Sequence, residues 1–151
     1  MLWKSAAQGD ERAFMTIKCV EASSLTTGYL AAIRVGTSAS FDGTQAVMAK
    51  SGNGADLPAF IGVSVKDIAS NAYGLVQTYG PVASVWISNQ GSSITINVGD
   101  PLVPGAAPGG ATSLAPTYAA SGFKYILASN VPTGSCISAT AWISGWIRGV
   151  L

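Results

Sequence analysis

Short apolar runs separated by turn residues dominate the middle of the chain. Between Phe60 and Pro104, four segments have the length and the residue types of β-strands. Each is bounded by Gly, Pro, Asn or Asp, and they are Phe60–Val65, Gly74–Tyr79, Val82–Ser88 and Ser93–Val98. In the last of them, Ile94 and Ile96 alternate with polar residues, so we expect that segment to be half buried. The pattern predicts a β-rich core and leaves no room for a long helix.

Alternation also assigns faces within Val82–Ser88. We expect Ala83, Val85 and Ile87 to share one face, and the opposite face to carry Val82, Ser84, Trp86 and Ser88. The preceding Gly80-Pro81 can break or bend the hydrogen-bonded ladder, because proline has no N–H to donate. The sequence therefore predicts two separate strands on either side of this dipeptide.

The same punctuation continues on both sides of this stretch. Further strands are predicted at Phe14–Val20, Tyr29–Val35, Thr44–Ala49, Leu102–Val103, Phe123–Leu127 and Cys136–Val150. Tyr29–Val35 also fits a helical turn, but its flanking glycines favour a strand that forms a hairpin with Thr44–Ala49. About nine short strands in one chain of this length predict a single all-β domain, either a barrel or a sandwich.

Alternation also divides the first and last strands into two faces. In the first, Phe14, Thr16 and Lys18 lie on one side, and the other side carries Met15, Ile17 and Cys19. In the closing strand, Trp142 and Trp146 share one face, whereas Ile143 and Ile147 share the other.

Two segments lack a strand pattern. Residues 1–13 have no hydrophobic period, so we expect an extended N-terminal arm followed by one β domain, residues 14–151. Within the arm, Trp3 should dock on this or another chain, since an indole is costly to leave in water. The Gly-, Ala- and Pro-rich segment Gly105–Pro116 is expected to be a mobile surface loop.

Charge is scarce and unevenly placed. The 151 residues include only 10% charged residues, against about 25% in average proteins, and the formal net charge is +1. This balance gives no electrostatic case for nucleic acid or an anionic membrane as partner. Only Asp100, Lys124 and Arg148 are charged beyond position 67. A C-terminal half with so few charges is consistent with burial in subunit interfaces. A compact β core with Ser/Thr surfaces would have a similar composition.

The sequence has neither the pattern of a membrane span nor that of a signal peptide. No window approaches the 18 apolar residues of a membrane span, and charged residues occupy the place of a signal peptide's apolar region. We therefore expect the protein to stay where it is made.

Cys19 and Cys136 could pair, but without a secretion signal two buried free thiols are favoured. Without histidine, two cysteines cannot complete a zinc site.

Catalytic chemistry has little support in the sequence. The absence of histidine removes the commonest general base, and most of the seven carboxylates lie in turns, where aspartate serves local hydrogen bonds. Cys136 lacks a cation or histidine that would favour its thiolate. We therefore expect a protein that is not an enzyme, with no cofactor and no metal. The aromatic residues Tyr73, Tyr79, Trp86, Trp142 and Trp146 could line a sugar-binding face, although packing in the core or an interface is favoured.

Several stretches together resemble the capsid decoration (cement) proteins of tailed bacteriophages. They are AQGDERAF near the start, then IGVSVKDIASNAYGLVQTYGPVASVWI and VGDPLVP, and the closing ISGWIRGVL. The resemblance spans most of the chain. It implies a β-barrel or β-tulip-like body that binds the outside of an assembled head, commonly as a homotrimer, and stabilises it by bridging subunits of the major capsid protein. The protein would be made in the host cytoplasm and end in the virion.

The resemblance assigns no contact residue by residue. From chemistry and position we predict a partner interface that comprises Trp3, Arg12, Trp142, Trp146 and Arg148. Two other functions stay open. One is another structural virion subunit, such as a head fibre base or a tail-tube-like protein, and the other is a carbohydrate-binding β module.

Overall fold

The computed structural model describes residues 11–34, 45–48, 59–88, 94–105, 107–113, 125–130, 136–137 and 140–148. These residues form eleven strands: β1 (Ala13–Cys19), β2 (Leu30–Ile33), β3 (Gln45–Met48), β4 (Phe60–Ser64), β5 (Tyr73–Ser88), β6 (Ile94–Thr95), β7 (Pro101–Pro104), β8 (Ala111–Ser113), β9 (Tyr125–Asn130), β10 (Cys136–Ile137) and β11 (Thr140–Arg148). The all-β prediction is confirmed. No helix in the described ranges is long and apolar enough to cross a membrane.

The first half of β5 completes a five-stranded barrel. Strands follow one another around it in the order β1, β3, β2, β4 and β5, and β5 pairs back onto β1. The β1–β5 ladder is antiparallel and runs from Ala13 opposite Tyr79 to Lys18 opposite Tyr73. The parallel contact of β1 with β3 involves only Lys18 and Cys19 of β1. Strands β2 and β3 are antiparallel, which confirms the predicted hairpin.

The second half of β5 belongs to another ring of strands. It pairs with β11, and the order continues through β9, β7 and β8. This ring closes through one parallel residue pair, Ile87 of β5 with Ala111 of β8. Strands β6 and β10 form a separate two-stranded sheet.

Two clusters of buried side chains form the core. The smaller lies mainly within the β1–β5 barrel and contains Ile17, Cys19, Leu25, Ala31, Ala46, Ile68 and Val76. The larger cluster lies between the second ring and those faces of β2 and β4 that point away from the smaller cluster. It includes Leu30, Phe60, Val63, Val85, Ile87, Leu102, Ile126, Ile143 and Ile147. Cys19 is a buried free thiol, as predicted, while the side chain of Cys136 lies outside the described part.

The predicted faces of the end strands are confirmed. In β1, Ile17 and Cys19 are fully buried, whereas Phe14 is about half exposed. In β11, Ile143 and Ile147 are buried and Trp142 is exposed. Ile96 is likewise buried between the exposed Thr95 and Asn97, although the regular strand there covers only two residues.

The prediction of two separate strands on either side of Gly80-Pro81 is wrong, because β5 runs through the dipeptide without interruption. Residues up to Tyr79 pair with β1, and from Gly80 onward the strand pairs with β11, so the proline lies where the partner changes. The buried side chain of Gln77 donates to the carbonyl oxygens of Tyr79 and Pro81, at 3.1 and 2.7 Å. The dipeptide therefore redirects the strand without ending it.

The predicted faces of Val82 and Ala83 are also wrong. Val82 is buried and Ala83 is exposed, while Val85 and Ile87 are buried as expected. The β5–β11 register shifts between Ile143 and Gly145, opposite Val85 and Val82. A bulge of this kind changes the alternation locally, which sequence periodicity cannot anticipate.

The segment predicted as a mobile surface loop is largely part of the core in its described residues. Ala111–Ser113 forms β8, and Gly105, Ala107, Gly109 and Gly110 are buried. Gly105 donates its N–H to Gly110 O at 2.7 Å, and Leu30 donates to Gly109 O at 2.9 Å. Small residues allow this segment to pack closely against its neighbours. The same composition of small residues and proline is typical of surface loops, and for that reason the sequence predicted a loop here.

Gly80 permits the closest backbone approach between the start of β1 and β5. Its φ is 93°, and a Cβ added to it would lie 2.0 Å from the carbonyl oxygen of Glu11. Both the dihedral angle and the space therefore require glycine at this position.

We expect Gly80→Ala to lower the free energy of unfolding by roughly 3 kcal/mol or more, since backbone must move to admit the Cβ. Gly99→Ala is the matched control, because Gly99 has φ of 90° but nothing within 4 Å of its added Cβ. In the control, the free energy of unfolding should fall only by the conformational cost of placing alanine at positive φ, about 1–2 kcal/mol. Denaturant unfolding measures both variants, and equal losses would contradict the importance of the close approach.

Candidate binding surface

The outward side of β11 presents a row of aromatic and polar side chains. Burial alternates along the strand, so that Trp142, Ser144, Trp146 and Arg148 point away from the core. Trp142 is 52% exposed and Arg148 is exposed, whereas Ser144 and Trp146 are partly covered. Together with Tyr79 and Trp86 of the neighbouring β5, these four residues form what we term the aromatic face.

Trp142 occupies one end of the aromatic face. It lies directly opposite Trp86 in the β5–β11 register, and the ring of Trp86 stacks on Tyr29 with centroids 4.5 Å apart and planes 14° from parallel. Trp86 donates its N–H to Gly28 O at 3.0 Å, so Gly28 lies along the edge of β5 away from β11. The indole of Trp142 reaches across β5 to Gly28, where an added Cβ would lie 2.5 Å from its Cζ3.

Trp146 and Arg148 form the opposite end. The ring of Trp146 packs edge-on against Tyr79, with centroids 6.4 Å apart and planes at 87°. Its Nε1 is the only buried side-chain nitrogen or oxygen in the described part of the chain that lacks a hydrogen-bond partner. Arg148 lies two residues farther along β11 and is exposed. This end therefore combines a partly covered indole with an exposed positive charge.

The structure brings together most of the residues predicted to form a partner interface. Trp142, Trp146 and Arg148 share the aromatic face. Arg12 approaches the end of the face that carries Arg148. Its Cα lies 3.3 Å from where a Cβ on Gly80 would be, and Gly80 pairs with Ile147, the residue before Arg148. Trp3 lies outside the described residues. The role of these side chains in binding a partner stays a prediction.

A second exposed apolar surface lies on the outer side of the β1–β5 ladder. Phe14, Tyr73 and Leu75 are 49%, 66% and 48% exposed, and we term them the apolar strip. The ammonium of Lys18 lies 5.9 Å from the centroid of the Tyr73 ring. The sequence placed Phe14 on the same side of β1 as Thr16 and Lys18 but did not single it out. Only the pairing of β1 with β5 brings it near Leu75.

The described carboxylates hold turns and loops in place. Asp67 Oδ1 accepts hydrogen bonds from the N–H and the hydroxyl of Thr27, at 2.7 and 2.8 Å. Asp100 Oδ2 accepts from the N–H of Asn97 at 2.7 Å, and Glu21 Oε1 accepts from Met48 N–H at 3.1 Å. Within the described ranges, no three Cys, Asp or Glu residues cluster in a way that could hold a metal ion.

The hydrogen bonds from Thr27 lower the pKa of Asp67 below its ordinary value of 3.8, because they favour the charged carboxylate. A group with a lowered folded-state pKa stabilises the fold above its unfolded-state pKa. That contribution is lost as the pH falls through the lower, folded-state pKa. Asp67 links the loop after β1 to the loop after β4, which also meet in the Leu25–Ile68 bridge.

We expect Asp67→Asn to reduce stability at neutral pH and to have progressively less effect as the pH falls below 3.8. Carboxyl-detected NMR titration should show Asp67 with a pKa below its ordinary value, and thermal unfolding at several pH values should show the converging stabilities. Glu11→Gln removes an exposed carboxylate elsewhere and serves as control. A constant difference between wild type and Asp67→Asn across this pH range would contradict the assignment.

Comparison with known proteins yields one informative likeness. No protein family matches the chain, and no curated protein matches it. Among solved structures, the chain is similar to the crystal structure of the head fiber gp8.5 N base in bacteriophage phi29. The TM-score is 0.50 at 19% sequence identity, and the match covers 93% of this chain and 98% of that chain. At this identity the likeness shows a shared β fold over nearly the whole length of both chains.

Proposed function

We propose that the chain is a structural protein of a bacteriophage virion and that it binds the outer surface of the head. The observation that carries this proposal is the fold shared with a phage head fiber base along almost the entire length of both chains. The stretches that resemble capsid decoration proteins led to the same expectation, although no protein family and no curated protein matches the chain. In this role the protein needs no catalytic group, cofactor or metal.

Two roles on the head surface are compatible with the proposal. As a decoration protein, the chain would bridge neighbouring major capsid subunits and stabilise the shell. As a fibre base, it would attach a projecting fibre to the head, a role favoured by the likeness to the head fiber base. We propose the decoration role on the sequence resemblance and keep the fibre base as the alternative. In both roles, many copies multiply a modest contact area into strong attachment.

We place the contact with the major capsid protein at the Trp146–Arg148 end of the aromatic face. Arg148 is exposed there, and the backbone of Arg12 comes close to the strand that carries it. Arginine and tryptophan are the side chains that most often dominate the binding energy of protein interfaces. The low charge of the rest of the C-terminal half would limit the desolvation cost of covering this surface.

We expect the purified chain to be a homotrimer. A nearly neutral, charge-poor protein with an exposed apolar strip is prone to associate, and a closed oligomer covers such surface without open polymerisation. Size-exclusion chromatography with light scattering gives the mass directly, with a single chain of 15.3 kDa as the unit. A concentration-independent monomer would contradict the prediction, and open polymers would indicate a filament subunit.

Heads of the phage that encodes this chain provide the test of the proposed function. Heads made without the gene should lack the corresponding outer density in cryo-electron microscopy, and the purified protein should bind back to a fixed number of sites. For a decoration protein, rebinding should also raise the temperature at which the heads release DNA. Unchanged heat stability with loss of a projecting fibre would favour the fibre base. No binding to heads would contradict both roles.

Arg148→Glu should weaken rebinding at least about tenfold, because charge reversal removes an interfacial hydrogen-bond donor and adds repulsion. Arg34→Glu is the matched control, since Arg34 is an exposed arginine at the end of β2, away from the aromatic face. Both variants should fold and oligomerise like wild type. If the two substitutions weaken rebinding equally, the effect is one of net charge and the placement of the contact is wrong.

A further inference from the structure

The Trp142 end of the aromatic face lies outside the proposed capsid contact and combines close packing with exposure. The Cζ3 and Cε3 atoms of its indole would lie 2.5 and 3.2 Å from a Cβ on Gly28, so the ring packs directly on glycine backbone. Any larger residue at position 28 would displace the ring. Even so, Trp142 keeps 52% of its surface exposed. The part of the ring that carries Cζ3 and Cε3 is therefore covered by the protein, while about half of the side chain is open to solvent.

The support beneath this ring is held firmly. Gly28 donates its N–H to Ser64 O at 2.8 Å and accepts from Trp86 N–H at 3.0 Å. The N–H and C=O of a strand residue point to the same edge, so those of Trp86 point towards Gly28 and away from β11. Trp86 and Trp142 are therefore a non-hydrogen-bonded pair, in which the two side chains lie close together. Tyr29 stacks on Trp86, and its ring packs in turn against Gly109. The backbone of Gly28 and the ring of Trp86, which Trp142 adjoins, are thus held by their own contacts.

A fixed carboxylate lies beside this aromatic support. Thr27 precedes Gly28, and Asp67 Oδ1 binds both the N–H and the hydroxyl of Thr27. Asp67 is exposed, and its Oδ2 receives no hydrogen bond from the described residues. The carboxylate is thus anchored by one oxygen and offers the other as an acceptor to a hydroxyl group of a ligand.

We propose that this end of the aromatic face binds a neutral carbohydrate, with a pyranose ring on the exposed part of Trp142 and a sugar hydroxyl donating to Asp67 Oδ2. The C–H groups on one face of a pyranose carry partial positive charge and suit the negative face of an indole. Its hydroxyl groups suit a carboxylate acceptor. An anionic sugar is disfavoured, because Asp67 is ionised and would repel it.

This binding activity goes beyond attachment to a phage head and does not depend on it. Trp142 lies four residues from Trp146 along β11, about 13 Å at the rise of a β-strand. The Trp146–Arg148 end can therefore contact the capsid while Trp142 stays accessible. A head covered with such copies would present many weak glycan sites, and multivalency would turn them into strong adhesion.

Titration of the purified protein with maltotetraose, cellotetraose and chitotetraose tests the proposal. Tryptophan fluorescence and indole N–H signals in NMR report binding, and we expect at least one oligosaccharide to give a saturable change with a Kd of about 0.1–10 mM. Trp142→Ala should weaken this binding at least about tenfold, and Asp67→Asn should weaken it several-fold. Trp146→Phe, at the other end of the same face, is the matched control and should bind like wild type.

Folding of each variant is checked by its NMR spectrum, and Trp142→Phe provides a conservative ring that should keep part of the binding. The proposal is overturned if no oligosaccharide binds at about 20 mM, or if Trp142→Ala binds as well as wild type. It is also overturned if Trp142→Ala abolishes rebinding to heads while no oligosaccharide binds, since the ring is then a protein contact. Binding of sugar by a protein that does not bind heads would support this proposal and contradict the proposed function.

Discussion

The continuity of β5 is the constraint on which the rest of the structure depends. One strand of 16 residues serves both rings, with β1 and β4 along its first half and β11 and β8 along its second. The change of partner falls at Gly80, where the backbone of Glu11 approaches so closely that no side chain fits. Because each ring closes only through β5, a disturbance at this crossing affects the pairing of both. The two buried clusters are thereby held in a fixed relation.

This arrangement also determines which surfaces are available for binding. The rings direct alternate residues of β1, β5 and β11 inward, so their outward residues form the apolar strip and the aromatic face. Glycines at positions 28 and 109 let aromatic rings pack on the backbone. The described carboxylates of Glu21, Asp67 and Asp100 are engaged by backbone N–H groups. The chemistry of the outer surface therefore favours recognition by contact area and stacking.

The chain and a phage head fiber base share a β fold over nearly their whole length at 19% sequence identity. At this identity the likeness shows the fold, and the role on a phage head is what we propose from it. Several sequence stretches led to the same expectation of a phage structural protein, while no protein family and no curated protein matches the chain.

The sequence by itself determined the all-β class, the approximate positions of most strands and the faces of β1 and β11, because side-chain alternation is a local property of an extended backbone. It also indicated that Trp142 and Trp146 share a face. Only the tertiary structure decided that β5 continues through Pro81, that Ala111–Ser113 forms a strand, and that Gly28 lies beneath Trp142. Each of these depends on partners distant in the chain. Such partners supply the hydrogen bonds and the close approach that override local preference, and no local pattern encodes them.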